Sequence, residues 1–123
     1  MDCVKTLKGH DAGTQTILYA NNLLYSGGWD GTIKVWKDFE CIDTLEDHTG
    51  SVECLAYING LLYSGSSDKT IRVWKDFKCV NILEEHTEGV DCLTYGDGLL
   101  YSMSINDGIK VWREIGTFTK RAL

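Results

Sequence analysis

Three residue types that could carry chemistry recur together along this chain: histidine, serine and aspartate. A serine follows each of the three histidines at one constant distance, and an aspartate follows His10 and His48 at a second constant distance. Serine hydrolases use this set, with the imidazole deprotonating the nucleophilic hydroxyl. The same three groups can instead form a buried hydrogen-bonded network that only supports the fold.

The surroundings of the serines favour the structural alternative. A nucleophilic serine needs an exposed hydroxyl and an oxyanion hole, often on a G-x-S-x-G turn. Ser26 and Ser64 lie instead in apolar runs such as the one at 61–64, and one small chain carries the histidine and serine pair three times. We therefore predict no catalytic residue. The histidines belong to separate repeats, so we also predict neither a metal site nor a cofactor.

A single spacing separates successive sets, and the same spacing governs the rest of the sequence. Repeats at 3–40, 41–78 and 79–116 align without an insertion, and the first two are identical at 19 of 38 positions. Self-similarity at a fixed period of this size indicates stacked structural units that bury one another's apolar faces. We predict one domain over residues 1–123, in which each repeat starts with the outer strand of the preceding unit.

Each repeat is predicted to consist of four short strands. In the second repeat, turn residues separate four apolar or β-branched runs, at 52–57, 61–66, 70–74 and 79–83. The pair Asn59 and Gly60 indicates a hairpin turn with positive φ angles, and the other repeats have suitable residues at the same place. Since no segment has a helical period, the predicted fold class is all-β.

The composition limits the classes of partner and compartment. The chain carries 18 acidic and 12 basic residues, a net charge of −6, which repels phosphate backbones and anionic lipids. We therefore expect neither nucleic-acid binding nor adsorption to anionic membranes. We expect no membrane-spanning segment either, because no apolar run approaches the length of a membrane span. The N-terminus lacks the apolar region of a signal peptide, and no C-x-x-C pair occurs. We expect a cytoplasmic or nuclear protein that is not secreted, with cysteines that serve as small buried packing residues.

The repeats resemble WD40 repeats. Residues 62–74 look like a standard unit of that family, which has a histidine near the start of each repeat and a tryptophan at the end of its third strand. The family's Gly-His pair survives only at Gly9 and His10, and a basic residue follows each tryptophan where the family has aspartate. The resemblance implies β-propeller blades of four antiparallel strands, three per chain, that act as a non-catalytic protein-interaction scaffold.

The resemblance also implies a buried network of histidine, serine, aspartate and tryptophan in each blade. In the third blade an asparagine stands in for the aspartate, and an amide accepts from imidazole without charge assistance, so we expect a weaker network there. The network residues are His10, Ser26, Asp30 and Trp36; His48, Ser64, Asp68 and Trp74; and His86, Ser102, Asn106 and Trp112.

Three blades are too few to close a propeller, which typically has four to eight. Either copies of the chain close a ring by head-to-tail self-association, or the chain is a fragment of a longer propeller. We favour a ring of two copies, followed by a ring of three. Residues 1–8 match the outer-strand segments at 41–46 and 79–84, whereas nothing after Trp112 matches them well. We therefore predict that residues 1–8 of one copy complete the third blade of another.

Positions at which the repeats differ indicate where a partner binds. In WD40 proteins the partner face often includes the turn before the aspartate and the start of the innermost strand. At these two places the chain has Trp29, Ser67 and Ile105, and Gln15, Glu53 and Asp91. An exposed tryptophan and isoleucine beside acidic residues favour another protein or peptide that offers an apolar anchor and a basic segment.

Two other functions stay open from the sequence. The chain could be a structural repeat whose only activity is self-assembly. It could also be the recognition part of a larger assembly, such as a ubiquitin ligase or a signalling complex.

Overall fold

The computed structural model describes residues 1–115 and 119–122, with side chains described up to residue 114. Its described strands form three separate sheets of four antiparallel strands, and each sheet is built from strands consecutive in the chain. Sheet one contains β1 (Thr14–Ala20), β2 (Leu23–Gly28), β3 (Ile33–Lys37) and β4 (Glu40–Leu45). Sheet two contains β5 (Val52–Ile58), β6 (Leu61–Ser66), β7 (Ile71–Lys75) and β8 (Lys78–Leu83). Sheet three contains β9 (Cys92–Gly96), β10 (Leu99–Ser104), β11 (Gly108–Ile115) and β12 (Thr119–Ala122).

The hairpin turns lie where the sequence places them. Asn59 and Gly60 join β5 to β6 with φ angles of 51° and 83°, and Asp97 has a φ of 51° in the equivalent turn of sheet three. Two consecutive residues with positive φ match the right-handed twist of the strands that they connect. The all-β prediction and its four-stranded units are confirmed.

The cores lie between sheets rather than within one. Side chains alternate across each strand, so every sheet has two faces. One face of sheet one, with Tyr25, Ile33 and Val35, packs against Leu62 and Trp74 on the facing side of sheet two. A second core repeats this contact between sheets two and three. Each sheet therefore depends on its neighbour to remove its apolar face from water.

Two glycines allow the sheets to approach closely. A Cβ atom at Gly27 would lie 2.5 Å from Cγ1 of Val52, and one at Gly65 would lie 2.7 Å from Cγ1 of Val90. Val52 and Val90 are both fully buried in these contacts. The absence of a side chain at 27 and 65 therefore sets the spacing between neighbouring sheets.

The outer strand of sheet three corrects one prediction. β12 pairs with β11 through Trp112 and Ala122 and through Ile115 and Thr119, so the chain itself supplies the fourth strand. The prediction that residues 1–8 of another copy fill this place is wrong, because the sequence of β12 does not resemble the other outer strands and could not be recognised from them. In the described part of the chain, residues 1–8 belong to no sheet.

The cysteines are less buried than predicted. All five lie among the described residues and none forms a disulfide. Cys54 is buried at the contact between sheets two and three, as expected of a packing residue. For Cys3, Cys41 and Cys92 the packing prediction is wrong, since all three are exposed.

Candidate interaction surface

The predicted hydrogen-bonded network is present in sheet two. Trp74 donates its indole N–H to Oγ of Ser64 at 2.8 Å, and this oxygen lies 2.6 Å from Nε2 of His48. Nδ1 of the same imidazole lies 2.7 Å from Oδ2 of Asp68. Because Ser64 has a single hydroxyl proton, the neutral arrangement in which Ser64 donates to Nε2 and Nδ1–H donates to Asp68 satisfies every group.

Sheet one repeats this arrangement with slightly longer distances. Trp36 donates to Ser26 at 2.9 Å, Ser26 lies 2.8 Å from Nε2 of His10, and Nδ1 lies 3.1 Å from Oδ1 of Asp30. In both sheets a threonine shortly after the aspartate donates its hydroxyl to the carboxylate. This contact is 2.8 Å for Thr32 and 2.6 Å for Thr70.

Sheet three overturns the prediction for Asn106. Nδ1 of His86 lies 3.1 Å from Oδ2 of Asp107, so a carboxylate takes the role and the network has charge assistance. The reason is the backbone of the turn. In all three sheets a residue with positive φ directly follows the aspartate, at Gly31, Lys69 and Gly108, but Gly108 stands one residue later than the repeat spacing would place it. This shift by one residue moves the position facing the imidazole from 106 to 107.

Burial and hydrogen bonds shift the pKa values of these groups in opposite directions. Burial lowers the pKa of His48 below 6.5, and the neighbouring carboxylate of Asp68 opposes this effect without cancelling it. Burial by itself would raise the pKa of Asp68, but hydrogen bonds from Thr70 and His48 outweigh it and bring the pKa to about 2. The backbone N–H of Thr87 is the main cause of the lowered pKa of Asp107.

The serine hydroxyls are closed off from solvent. Ser26, Ser64 and Ser102 are all buried, and each oxygen already lies between an indole N–H and an imidazole nitrogen. Within the described residues, no group of three or more His, Cys, Asp and Glu side chains could hold a metal ion. In the same part of the chain, no helix is long and apolar enough to cross a membrane.

The predicted partner residues meet in pairs at one end of the sheets. Trp29 donates its indole N–H to Oε1 of Gln15 at 2.8 Å, and its backbone N–H donates to the carbonyl of Gly13 at 2.8 Å. Ile105 donates its backbone N–H to Oδ2 of Asp91 at 2.8 Å. We call this set of turn and strand-start residues the turn row. It comprises Gln15, Trp29, Glu53, Ser67, Asp91 and Ile105.

The middle pair of the turn row is joined through an additional serine. Ser51 donates its backbone N–H to Oγ of Ser67 at 2.9 Å, and its hydroxyl donates to Oε1 of Glu53 at 3.2 Å. Ser67 is small and hydrogen-bonded to Ser51, which precedes β5. By contrast, Trp29 is 62% exposed to solvent and Ile105 is 77% exposed. Two large apolar residues thus flank a polar position.

Comparison with known proteins places this arrangement in a family. The family model described as WD domain, G-beta repeat matches residues 1–37 and 39–75, more than half of the chain. The chain belongs to the WD40-repeat family. The resemblance noted in the sequence is therefore confirmed, and the three sheets are WD40 propeller blades. WD40 propellers generally serve as protein-interaction scaffolds and are typically non-catalytic.

Solved structures extend the likeness over most of the chain. The crystal structure of the WD40 beta propeller domain of Doa1 is similar over 90% of this chain, with 32% sequence identity and a TM-score of 0.79. The crystal structure of the computationally designed Ika4 protein is similar over 87%, with 28% identity and a TM-score of 0.77. This chain spans 39% of the Doa1 chain and 69% of the Ika4 chain.

The outward faces of the first and last WD40 blades keep the residue types of the buried contacts. Ile33 and Ile71 are fully buried by the next blade, whereas the equivalent Ile109 of blade three is 67% exposed. On blade one, Ile17 and Tyr19 are exposed where their counterparts in blade two pack against blade one. Both ends of the described array therefore present apolar side chains, but at blade one Leu7 and Gly9 of the same chain lie against Trp36 and leave it only 7% exposed.

A groove between blades shows how far the two end faces match. Between blades one and two, Leu23 and Tyr25 form one wall, opposite Tyr57, Trp74 and Phe77. Tyr25 stacks on Tyr57 across this groove with ring centroids 6.3 Å apart. Blade one repeats the second wall on its outward side, and blade three repeats the first wall. These residues are Tyr19, Trp36 and Phe39 in blade one, and Leu99 and Tyr101 in blade three.

Sequence reasoning missed several residues of the networks and the turn row. Thr32 and Thr70 hold equivalent positions in their repeats, so the repeat itself could have indicated them. Asp107 could not be found in this way, because it breaks the spacing of the repeat. Gly13 was missed as well: a Cβ atom there would lie 2.8 Å from the Trp29 ring, so the glycine makes room for the indole.

Proposed function

We propose that this WD40 chain is a non-catalytic scaffold that binds another protein through its turn row. The observation that carries the proposal is Trp29, which is largely exposed although a hydrogen bond to Gln15 and contact with Gly13 fix its orientation. A rigid, exposed tryptophan loses little conformational entropy when a partner covers it, and tryptophan is among the residues most enriched at binding hot spots.

The charge of the turn row supports a partner with a basic segment. Asp91 lies beside the exposed Ile105, Glu53 belongs to the middle pair of the turn row, and the chain as a whole carries a net charge of −6. Asp91 uses one oxygen to hold the turn at Ile105, but its negative charge still acts on a nearby cation. The same charge makes a nucleic acid or an anionic membrane an unfavourable partner.

The non-catalytic part of the proposal is supported by the networks. The three hydroxyls that could act as nucleophiles are buried and hydrogen-bonded on both sides. Exposing one of them would break the indole and imidazole contacts that join strands of the blade, at a cost of about 1–3 kcal/mol for each buried group left unpaired.

Selection from a random-sequence peptide library on the immobilised chain tests the proposal. We expect selected peptides to combine a basic segment with an apolar residue, and Trp29→Ala to weaken their binding about tenfold or more, as measured by calorimetry. Ser67→Ala is the matched control at the equivalent turn and should change the affinity less than about twofold. Peptides that bind Trp29→Ala as tightly as the original chain would refute the turn row as the binding surface.

We further propose that copies associate head to tail, with blade three of one copy facing blade one of the next. Matching groove walls support this contact, since Leu99 and Tyr101 repeat Leu23 and Tyr25 while Tyr19 repeats Tyr57. Leaving two apolar faces in water is unfavourable. Two copies give six blades, within the usual range, and three copies give nine. In a longer propeller the same two faces would be covered by further blades.

Light scattering of the purified chain over a range of concentrations tests the self-association. We expect a dimer of the 13.8 kDa chain to form as the concentration rises, with a trimer as the next alternative. Tyr101→Ala, which removes one wall of the groove, should shift the equilibrium towards the monomer. A monomer at all concentrations would contradict this second proposal and leave the turn-row proposal intact.

A further inference from the structure

One position on the outward face of blade three differs from its counterparts in a way that affects what can dock there. Gly27, Gly65 and Met103 hold the same place in the second strand of their blades. In each blade this residue pairs with an isoleucine of the third strand: Gly27 with Ile33, Gly65 with Ile71, and Met103 with Ile109. Two blades thus have no side chain at a point where the third has a long one.

The two glycines lie at the closest point between neighbouring blades. Even a Cβ atom at Gly27 or Gly65 would come within 2.7 Å of the valine that begins the next blade. Carbon atoms do not approach so closely without displacement of one blade, because the repulsive part of the van der Waals interaction rises steeply below about 3.5 Å. Blades can pack at this spacing only if the position lacks a side chain.

Blade three has a partly buried methionine at this position, surrounded by an apolar surface. The surface around Met103 includes Leu93, Tyr101 and Ile109, and is almost free of polar atoms. On the same face, Leu99 and Tyr101 repeat the groove wall with which blade one packs against blade two. The face of blade three therefore fits an incoming blade at the groove but obstructs it at Met103.

The incoming residue from blade one of a second copy would be Thr14. It holds the repeat position of Val52 and Val90, at or just before the start of the innermost strand, and all three residues are β-branched. Threonine has the same shape as valine, so it gives no additional room. Thr14 would therefore meet Cβ of Met103 as closely as Val90 would meet a Cβ at position 65.

We propose that Met103 is the residue that limits self-association, by keeping blade one of a second copy farther from blade three than blades within one chain are from each other. This inference rests on the proposed head-to-tail contact. The consequence is an association that is weaker and more reversible than the packing between blades one and two. Met103 weakens in the same way the docking of any other blade that places a β-branched residue opposite it.

Two substitutions at position 103 test the proposal, with self-association measured by analytical ultracentrifugation. Met103→Gly removes the obstructing Cβ and should tighten the association about tenfold or more. Met103→Ala is the matched control: it loses the same thioether but keeps Cβ, so it should bind at least about tenfold more weakly than the glycine variant. If the methionine were an apolar anchor, both variants would associate more weakly than the original chain, and that result would overturn the proposal.

A reciprocal substitution tests the steric premise without depending on self-association. Gly65→Met introduces the same side chain between blades two and three, and overpacking of a close contact should lower the midpoint of thermal unfolding by about 5 °C or more. An unchanged midpoint would overturn the inference about Met103 even if copies associate. A third outcome is that Gly65→Met destabilises the chain but neither the original chain nor Met103→Gly associates. That result would refute the head-to-tail contact and, with it, the role of Met103 in self-association.

Discussion

Ile71 and Ile109 occupy the same place in the third strand of neighbouring blades, yet blade three buries the first completely while the second is largely exposed. The difference arises outside the repeat, because each isoleucine depends on the following blade to cover it. The burial of these equivalent isoleucines therefore shows which blade faces are packed and which are open.

This contrast gives the first prediction. Ile71→Ala removes buried methyl groups at a contact between blades and should lower the free energy of unfolding by about 2–4 kcal/mol. Ile109→Ala should lower it by less than about 1 kcal/mol in the monomer, because the side chain already contacts water. Urea unfolding at low protein concentration measures both. Equal losses would indicate that the face of blade three is covered in solution.

The contact between Gly13 and Trp29 gives a prediction about the turn row. Gly13→Ala places a methyl group 2.8 Å from the indole ring, so the indole must move and peptide binding should weaken about fivefold or more. In a chain that already carries Trp29→Ala, the same change at position 13 should have almost no further effect. A double-mutant cycle of binding affinities measures this coupling. Independent, additive effects would contradict the assigned contact.

The network of blade three gives a prediction that separates two adjacent residues. Asp107→Ala removes the carboxylate that accepts from His86 and from the backbone N–H of Thr87. It should lower the midpoint of thermal unfolding by about 3–6 °C. Asn106→Ala, the matched control, changes an exposed side chain and should leave the midpoint within about 1 °C. If Asn106→Ala lowered the midpoint more than Asp107→Ala does, Asn106 would hold the role that the repeat spacing assigns to it.

The lowered pKa values predict how stability depends on pH. His48 has a pKa below 6.5 in the folded chain, so the unfolded chain binds this proton first as the pH falls. The free energy of unfolding should therefore decrease as the pH falls below about 6.5. Asp30 and Asp68, with pKa values lowered from 3.8 to about 2, should cause a further decrease between about pH 4 and pH 2. Because water screens both partly exposed carboxylates, each should contribute only on the order of 1 kcal/mol.

Urea unfolding at a series of pH values measures both steps. Asp68→Asn should remove part of the decrease below about pH 4, because the amide does not titrate, while reducing stability at neutral pH. Stability that rises as the pH falls from about 7 to about 5 would contradict the neutral state assigned to His48.

The sequence by itself determined the unit of the fold. The period of the repeat, the alternation of apolar side chains and the paired turn residues are local properties, and they predicted four strands per blade and the turn at Asn59 and Gly60. The networks of blades one and two were predicted from the resemblance to WD40 repeats, and the repeated spacing of residues such as His48, Ser64 and Asp68 located them in the chain. These features could be predicted because each depends on backbone geometry within one repeat.

Tertiary structure decided the features that depend on relationships between segments. Because Gly108 has the positive φ in blade three, the residue that faces the imidazole is Asp107 and not Asn106. This is an effect of turn geometry that an ungapped alignment hides. β12 pairs with β11 although its sequence does not resemble β4 or β8, because backbone hydrogen bonds form an outer strand with little demand on side chains. The significance of Met103 also emerged only from the distance between blades, since spacing across a contact is not encoded within a single repeat.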